Sequence, residues 1–445
     1  MALTGLEIFK LLPKTNCKEC GMPTCLAFAM QLAQKRAKLE DCPHASEEAK
    51  KLLAEAAAPP MCLVKFGKGE NEVQLGQETV MFRHEEKFYS PTVIAVTVSD
   101  KLSGDELKKR IEAINKLQYE RVGEKIGVGA VAIVNDSGSA ETFSAVTETV
   151  KSSTSLAIIL VSENAKALGA AAPKVADRMP LIAFATAESA QEVAKIAKDT
   201  NCPVVARADS IEALADLTEK IKAQGVEDIV LSLEGLGVGE QFYNLSRLRV
   251  LALKKVFRPL GYPTLCFVPD GDVYQQAAIA SALVCKYSGV IVLNTTSQAA
   301  VLAVLTTVMN IYTDPQKPVQ VEPKIYQIGE VNENSPLMFT TNFSLTYYTV
   351  ESDVEAARVP SYILVVDTEG TSVLTAYSGD KLNEKTVAQA MEKQNVAGLV
   401  KHKKLIIPGY VAVMSGKLEE ATGWDIMVGP RESSMLPKYL QEVWK

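Results

Sequence analysis

Leu156-Ala-Ile-Ile-Leu-Val161 and, further on, Leu181-Ile-Ala-Phe-Ala-Thr186 decide how this chain is read. Both runs are short, almost wholly apolar and rich in branched side chains. An amphipathic stretch, Ala187–Thr200, follows the second. Strands of a parallel sheet covered by helices on its faces have this composition. Working outward, runs of the same kind occur at Thr92–Val98, Val128–Val134, Pro203–Ala208, Asp228–Leu233, Pro263–Val268 and Gly289–Leu293. Helical patterns such as Ser210–Gln224 lie between them. Eight alternating β and α units between Thr92 and Tyr312 predict a (β/α)8 TIM barrel over residues 92–313. An open doubly wound sheet is the alternative topology.

The flanks have a different character. Residues 1–60 read as a small separate domain, with a helical pattern over Ser46–Leu53 continued by the Ala-rich Leu53–Ala58 and stopped by Pro59–Pro60. A segment that short buries too little apolar surface to be stable alone, and a metal centre would supply the difference. Residues 314–336 carry four prolines (Pro315, Pro318, Pro323, Pro336) and read as a linker. Residues 337–445 read as a Rossmann-like α/β domain. Its strands are expected at Ser361–Asp367, Leu405–Ile407 and Asp425–Val428, and its helices at Glu384–Gln394, Val411–Ala421 and Met435–Trp444. Thr340–Thr349, with its Thr, Phe and Tyr, reads as a further strand. Loops rich in Gly, Ser and Thr after these strands suit a ligand at the strand ends.

Charge and hydropathy exclude several classes. Over 445 residues, 47 Lys and Arg stand against 53 Asp and Glu, a net charge of −6. That balance gives no support for a nucleic-acid or anionic-membrane partner. Met1–Lys10 lacks the basic and apolar regions of a secretory signal. No apolar run reaches the length of a membrane span: Ala277–Leu293 is broken by Lys286, and Gln298–Met309 is too short. A cytoplasmic, reducing location is expected, where clustered cysteines are metal ligands rather than disulfides.

Four of the eight cysteines fall in the first 42 residues. Cys17-Lys-Glu-Cys20-Gly21-Met-Pro-Thr-Cys25 is followed by Cys42-Pro43. Three thiolates on a tight loop, and a fourth from beyond a helix expected over Leu26–Leu39, can surround a 4Fe–4S cubane; Gly21 lets the loop turn, and Cys-Pro ends many cluster loops. A structural zinc with four cysteine ligands is the alternative, although zinc sites favour two short knuckles. His44 stands near the set and could be a ligand, although a surface residue is the simpler reading. Cys62, Cys202, Cys266 and Cys285 read as inert core cysteines. In the barrel, Ser99–Asp100, Asn135–Asp136, Glu163–Asn164, Arg207–Asp209, Glu234, Asp270 and Asn294 follow strands. They are either an active face or helix caps, and capping is the simpler reading. With only His44, His84 and His402 in the chain, a histidine-rich catalytic metal site is not expected.

Thr4-Gly-Leu-Glu-Ile-Phe-Lys-Leu-Leu-Pro-Lys-Thr-Asn-Cys17, the four-cysteine pattern, the barrel and the C-terminal α/β domain together resemble one family. It is that of the large (gamma) subunit of the corrinoid iron–sulfur protein of the acetyl-CoA (Wood–Ljungdahl) pathway. The resemblance implies a methyl carrier whose cobalt works between methyltetrahydrofolate:corrinoid methyltransferase and CO dehydrogenase/acetyl-CoA synthase. It implies a small barrel subunit as heterodimer partner. It implies a 4Fe–4S cluster on Cys17, Cys20, Cys25 and Cys42 that restores oxidised cobalt. It also implies corrinoid contacts at Thr340, Thr346, Gly370, Thr371, Ser372 and Val373, and by weaker matching at Gly409, Gly429, Pro430 and Arg431. None of the three histidines has Asp two residues before it, so no Asp-x-His-x-x-Gly ligand to cobalt is expected. Two other readings stand beside this one: a pterin-binding barrel methyltransferase with its own active site, and an iron–sulfur electron-transfer subunit without corrinoid.

Overall fold

The computed structural model describes residues 5–33, 37, 39–46, 59–233, 235 and 237–444. The expected helical run Ser46–Leu53, its continuation Leu53–Ala58 and the barrel residue Glu234 therefore lie wholly or largely outside the described residues. The chain forms two compact units, Met1–Gln118 with Ile126–Tyr312, and Tyr119–Lys125 with Thr313–Lys445.

A hairpin precedes the barrel, made of β1 (Leu63–Phe66) and antiparallel β2 (Val73–Gly76). The barrel begins at β3 (Val93–Ser99). After its first helix comes a small ribbon, β4 (Gln118–Arg121) with β5 (Glu124–Gly127). The ring continues with β6 (Ala130–Val134), β7 (Ala157–Val161), β8 (Leu181–Ala185), β9 (Val204–Ala208), β10 (Ile229–Leu233), β11 (Leu265–Phe267) and β12 (Val290–Leu293). The eight strands are parallel in the order β10-β9-β8-β7-β6-β3-β12-β11, and a bridge between Leu231 and Thr264 joins the two ends. The expected barrel is therefore present, and the open sheet is excluded.

Its interior explains the hairpin. Many inward positions are small (Ala95, Ala130, Ala132, Ala157, Ala183), and Val64, Phe66, Val73 and Leu75 of the hairpin join the same buried cluster. The Gly67 amide donates to the carbonyl of Met179, just before β8, at 2.8 Å, which puts the hairpin at the N-terminal end of the barrel. The opposite end is thereby the open one. The sequence reading left residues 61–91 unassigned, because two four-residue strands around Gly67-Lys68-Gly69 give too short a pattern to stand out.

The second unit holds β13 (Ile325–Ile328), β14 (Leu337–Thr341), β15 (Ser361–Val366), β16 (Lys404–Ile407) and β17 (Asp425–Val428). The order is β13-β15-β14-β16-β17; β13 is antiparallel and the rest are parallel. Side chains alternate between two apolar faces. Leu337, Phe339, Leu364 and Ile407 pack under Val387, Met391 and Leu418. Met338, Ile363, Val365 and Ile406 pack under Tyr347, Val354 and Leu440. The first parallel strand lies in the middle of the sheet and the chain winds away from it to both sides, so the topological switch point lies between β14 and β16.

Three expectations change here. Strand β13 falls inside 314–336, so four residues of that segment belong to the sheet; the prolines around them hid a short edge strand. Thr340–Thr349 is not one strand, since β14 ends at Thr341 and a helix, Ser344–Ala357, begins three residues later. Val411–Ala421 is a 3-10 turn, Gly409–Met414, followed by a helix, Ser415–Thr422.

Candidate metal centre and ligand pocket

The cysteine region is organised by its backbone. Lys14, Asn16, Lys18 and Gly21 all take left-handed conformations, with φ of 58, 49, 68 and 75°. The Gly21 amide closes a turn on the Lys18 carbonyl at 2.9 Å. Asn16 ties the loop to the helix Cys25–Ala33: its Oδ1 accepts from the Cys25 amide at 2.8 Å, and its own amide points at Cys25 Sγ at 3.4 Å. Cys42 follows a 3-10 turn, Leu39–Asp41, and its amide donates to the Leu39 carbonyl at 3.0 Å. Cys25 and Cys42 are buried with Ile8, Leu12 and Phe28, Cys20 packs against that core, and Cys17 is exposed. The fold thus draws three of the four expected ligands to one small core and leaves Cys17 at its edge. His44 is exposed, with Nε2 3.1 Å from the Glu19 carboxylate, and the ligand atoms of Cys17, Glu19 and His44 lie within 4.8 Å of one another, so the structure leaves both readings of His44 standing. Among the described residues no three of the four thiols come within 4.8 Å of one another. A single tetrahedral zinc with bonds of about 2.3 Å would need thiols about 3.8 Å apart.

The other cysteines divide. Cys202 and Cys266 are buried, Cys62 is half-buried, and burial pushes the Cys266 thiol up to about 11. Cys285 is exposed, contrary to the core reading; it ends the helix Val273–Cys285, where the apolar pattern gave no sign of which face it would take.

The second site is a cavity of about 320 Å³ at the C-terminal ends of β14–β17, spanning the switch point. Thr340 closes it from β14, Thr346 from the helix after it, Ser372 and Val373 from the turn after β15, and Gly429-Pro430-Arg431 from the loop after β17. Thr340 is 1 % exposed, and its hydroxyl has no hydrogen-bond partner. A buried hydroxyl in that condition costs free energy until a ligand meets it. Leu345, Leu374 and Ile407 make much of the wall apolar, and Tyr410 donates to Glu432 across the rim at 2.5 Å, which raises the phenol above its ordinary range.

Gly370, Thr371 and Gly409 do not line the cavity. Gly370 has φ +72°, and its amide donates to Asn342 Oδ1 at 3.0 Å. Thr371 donates its hydroxyl to the Thr368 carbonyl at 2.7 Å. Gly409 lets two loops meet, because a Cβ there would lie 2.6 Å from the Gly429 carbonyl oxygen and 2.8 Å from the Arg431 amide. These residues shape the wall from behind. Sequence reasoning missed Asn342, Thr349, Tyr410 and Glu432. Thr346 and Thr349 share a helix face at i, i+3, a signal invisible while the stretch was read as a strand.

The barrel's open end is largely paired within itself. Arg207 meets Glu163 at 2.7 Å, Asn294 bonds Thr97, Arg110 and Asp270, and Asp100 accepts from Ser137 twice. Ser139, Asn164 and Ser210 cap helices. Of the strand-end residues singled out from the sequence, Asn164 is a helix cap, whereas Asp100, Glu163, Arg207, Asp270 and Asn294 are held in side-chain pairs instead. His402 is half-buried: Nε2 lies 2.8 Å from the Ser335 carbonyl, and the ring packs on Trp444. Ser335 precedes β14, so His402 sits at the end of the sheet away from the cavity. None of the three histidines lines the cavity. No helix among the described residues is long and apolar enough to cross a membrane.

Residues 63–440 match the family model of the CO dehydrogenase/acetyl-CoA synthase delta subunit, and residues 12–44 match a model for an Fe-S cluster family. The chain is 44% identical to the corrinoid/iron-sulfur protein large subunit of Moorella thermoacetica, over 98% of this chain and 97% of that one. It is 36% identical to the acetyl-CoA decarbonylase/synthase complex subunit gamma of Methanothermobacter thermautotrophicus, over 100% and 99% of the two chains. Among solved structures, dihydropteroate synthase from Vibrio fischeri ES114 is similar over 51% of this chain and 95% of its own, at 15% identity and a TM-score of 0.38. On the full-length matches, this chain belongs to the family of the corrinoid/iron-sulfur protein large subunit and the acetyl-CoA decarbonylase/synthase gamma subunits.

Proposed function

We propose that the chain is a methyl carrier with a corrinoid in the C-terminal cavity and a 4Fe–4S cluster held by Cys17, Cys20, Cys25 and Cys42. The names of its relatives and of the N-terminal family supply the two cofactor classes. The observation that carries the placement is the buried, unpartnered Thr340 hydroxyl on the wall of a switch-point cavity. The four-cysteine set fits a cluster by its donor chemistry and its C-x2-C-x4-C-x16-C spacing, since zinc sites favour two short knuckles. When bound, the corrinoid supplies a cobalt that takes and releases a methyl group, and the cluster supplies the electron that restores it after oxidation.

The chain's own residues bind, orient and exclude water. Hydroxyls of Thr340, Thr346 and Ser372 are suited to the amide side chains around a corrinoid rim, since each can donate and accept. Backbone groups of Gly429, Pro430 and Arg431 approach without a bulky side chain at the first position. Leu345 and Leu374 keep the mouth apolar and are 54% and 48% exposed, as expected if a partner subunit closes over it. His402 is committed to Ser335 and none of the three histidines lines the cavity, so the chain would hold a corrinoid there through hydroxyl and backbone groups rather than through an imidazole. The small subunit, the methyltransferase and the synthase are the partners this reading requires.

Methyl transfer tests it. Anaerobically reduced protein is mixed with labelled methyltetrahydrofolate, with and without the corrinoid methyltransferase. Label should reach the chain only when the methyltransferase is present. Labelling without it would favour a barrel with its own active site, and no labelling in either arm would overturn the carrier reading.

A further inference from the structure

Asn342 lies one residue past β14, is 1 % exposed, and its hydrogen bonds run in two directions. Toward the loop after β15, its Oδ1 accepts from the Thr368 amide, the Thr368 hydroxyl and the Gly370 amide, each at 3.0 Å. Its Nδ2 donates to Asp367 Oδ1 at 2.9 Å and, on the other side, to Gln320 Oε1 at 3.1 Å. Its backbone carbonyl accepts from the Val321 amide at 3.0 Å. Gln320 belongs to the stretch by which the chain enters this unit, and it pairs with Phe343 in an isolated bridge. The same stretch presses on the loop directly, because a Cβ on Gly370 would lie 2.6 Å from Gln320 Cγ and 2.9 Å from Pro318 Cβ.

Ending a strand needs none of this. A carboxamide is suited to the position because one end accepts and the other donates. Aspartate could not donate to Gln320 and would face Asp367 charge to charge. Alanine would leave the buried Thr368 and Gly370 donors unmet.

We propose that Asn342 is a positioning residue that couples the entering stretch Pro318–Val321 to the pocket loop Asp367–Ser372. A displacement of the entering chain then shifts the loop, and with it the Ser372 hydroxyl and Val373 at the cavity wall. The inference rests on reading that cavity as the corrinoid site. It adds that the ligand's surroundings respond to the posture of the chain leading into the domain.

Hydrogen–deuterium exchange on the full-length, anaerobically purified protein tests this, with cobalt and iron measured on the same samples. Gln320→Met is the decisive variant, since it keeps the Cβ and Cγ that pack beside Gly370 and removes only the acceptor that Asn342 meets. Coupling predicts faster exchange at Thr368 and Gly370 in Gln320→Met, by about ten-fold for the loss of roughly one hydrogen bond. It also predicts a shifted corrinoid absorption spectrum at unchanged iron content. Faster exchange at Val321 with the loop still protected as in the wild type would overturn it. Asn342→Ala should release both stretches together; release of the loop alone would count equally against coupling. A wild-type protein without cobalt would refute the corrinoid reading and leave the exchange result to decide the coupling, so the two failures are distinguishable.

Discussion

Gly409 and Thr340 make the sharpest statements at the scale of the residue. A methyl group on Gly409 would have to displace backbone on two sides, at the Gly429 carbonyl and the Arg431 amide. Gly409→Ala should therefore lower the stability of the C-terminal unit by about 1–3 kcal/mol, measured by urea unfolding, and weaken cobalt retention at constant iron. Thr340→Val keeps the shape and removes only an unpartnered hydroxyl. The free protein should be as stable as the wild type or more so, while corrinoid affinity falls about five- to ten-fold, the equivalent of one hydrogen bond. Equal affinity would mean that Thr340 does not meet the ligand. Buried ionisable groups give a pH dependence. Cys266 is pushed up to about 11, and Tyr262 and Tyr312 up to about 12, by burial. Their folded values lie above their unfolded ones, so the folded state holds more protons between the two. Their stabilisation is complete below the ordinary thiol value and is lost as pH rises through the folded values. The urea midpoint should hold to about pH 9 and then fall; a midpoint that rises above pH 9 would contradict the burial.

At the scale of the element, the barrel strands and the glycine- and threonine-bearing loops were legible because long buried runs repeat and loop residues have narrow roles. The hairpin β1–β2 was not, since four-residue strands carry too little pattern and their partner is the far-off barrel interior. Nor was the helix Ser344–Ala357, in which strand-favouring Thr and Tyr are overruled by packing of Tyr347 and Val354 on the sheet. The family resemblance implied the pocket's hydroxyls but not Asn342 behind them, because only the fold brings Gln320 and Thr368 to it. Phe66 is fully buried in the barrel's closing cluster, so Phe66→Ala should cost about 3–5 kcal/mol in chemical unfolding. A loss under about 1 kcal/mol would mean the barrel interior does not depend on the hairpin.

For the whole molecule, the four clustered cysteines belong to one compact unit and the ligand pocket to the other. The linker expected over 314–336 narrows once β13 is set aside, leaving the exposed residues Pro315–Pro318 as the place where a protease should cut first. Limited proteolysis of the anaerobic protein should yield an N-terminal fragment that keeps the iron and a C-terminal fragment that keeps the corrinoid. Cutting first within β14 or β15 would contradict that division. None of the three histidines lines the cavity, so a Co(II) electron paramagnetic resonance spectrum should lack the nitrogen superhyperfine splitting of a protein imidazole; such splitting would mean that a histidine does ligate the metal.

Most direct is the metal content of anaerobically purified full-length protein. The account predicts about one cobalt and four iron per chain, the iron falling in Cys17→Ser and Cys42→Ser while the cobalt stays, as expected of a four-cysteine cluster. Protein without cobalt, or with about one zinc in place of the iron, would contradict it.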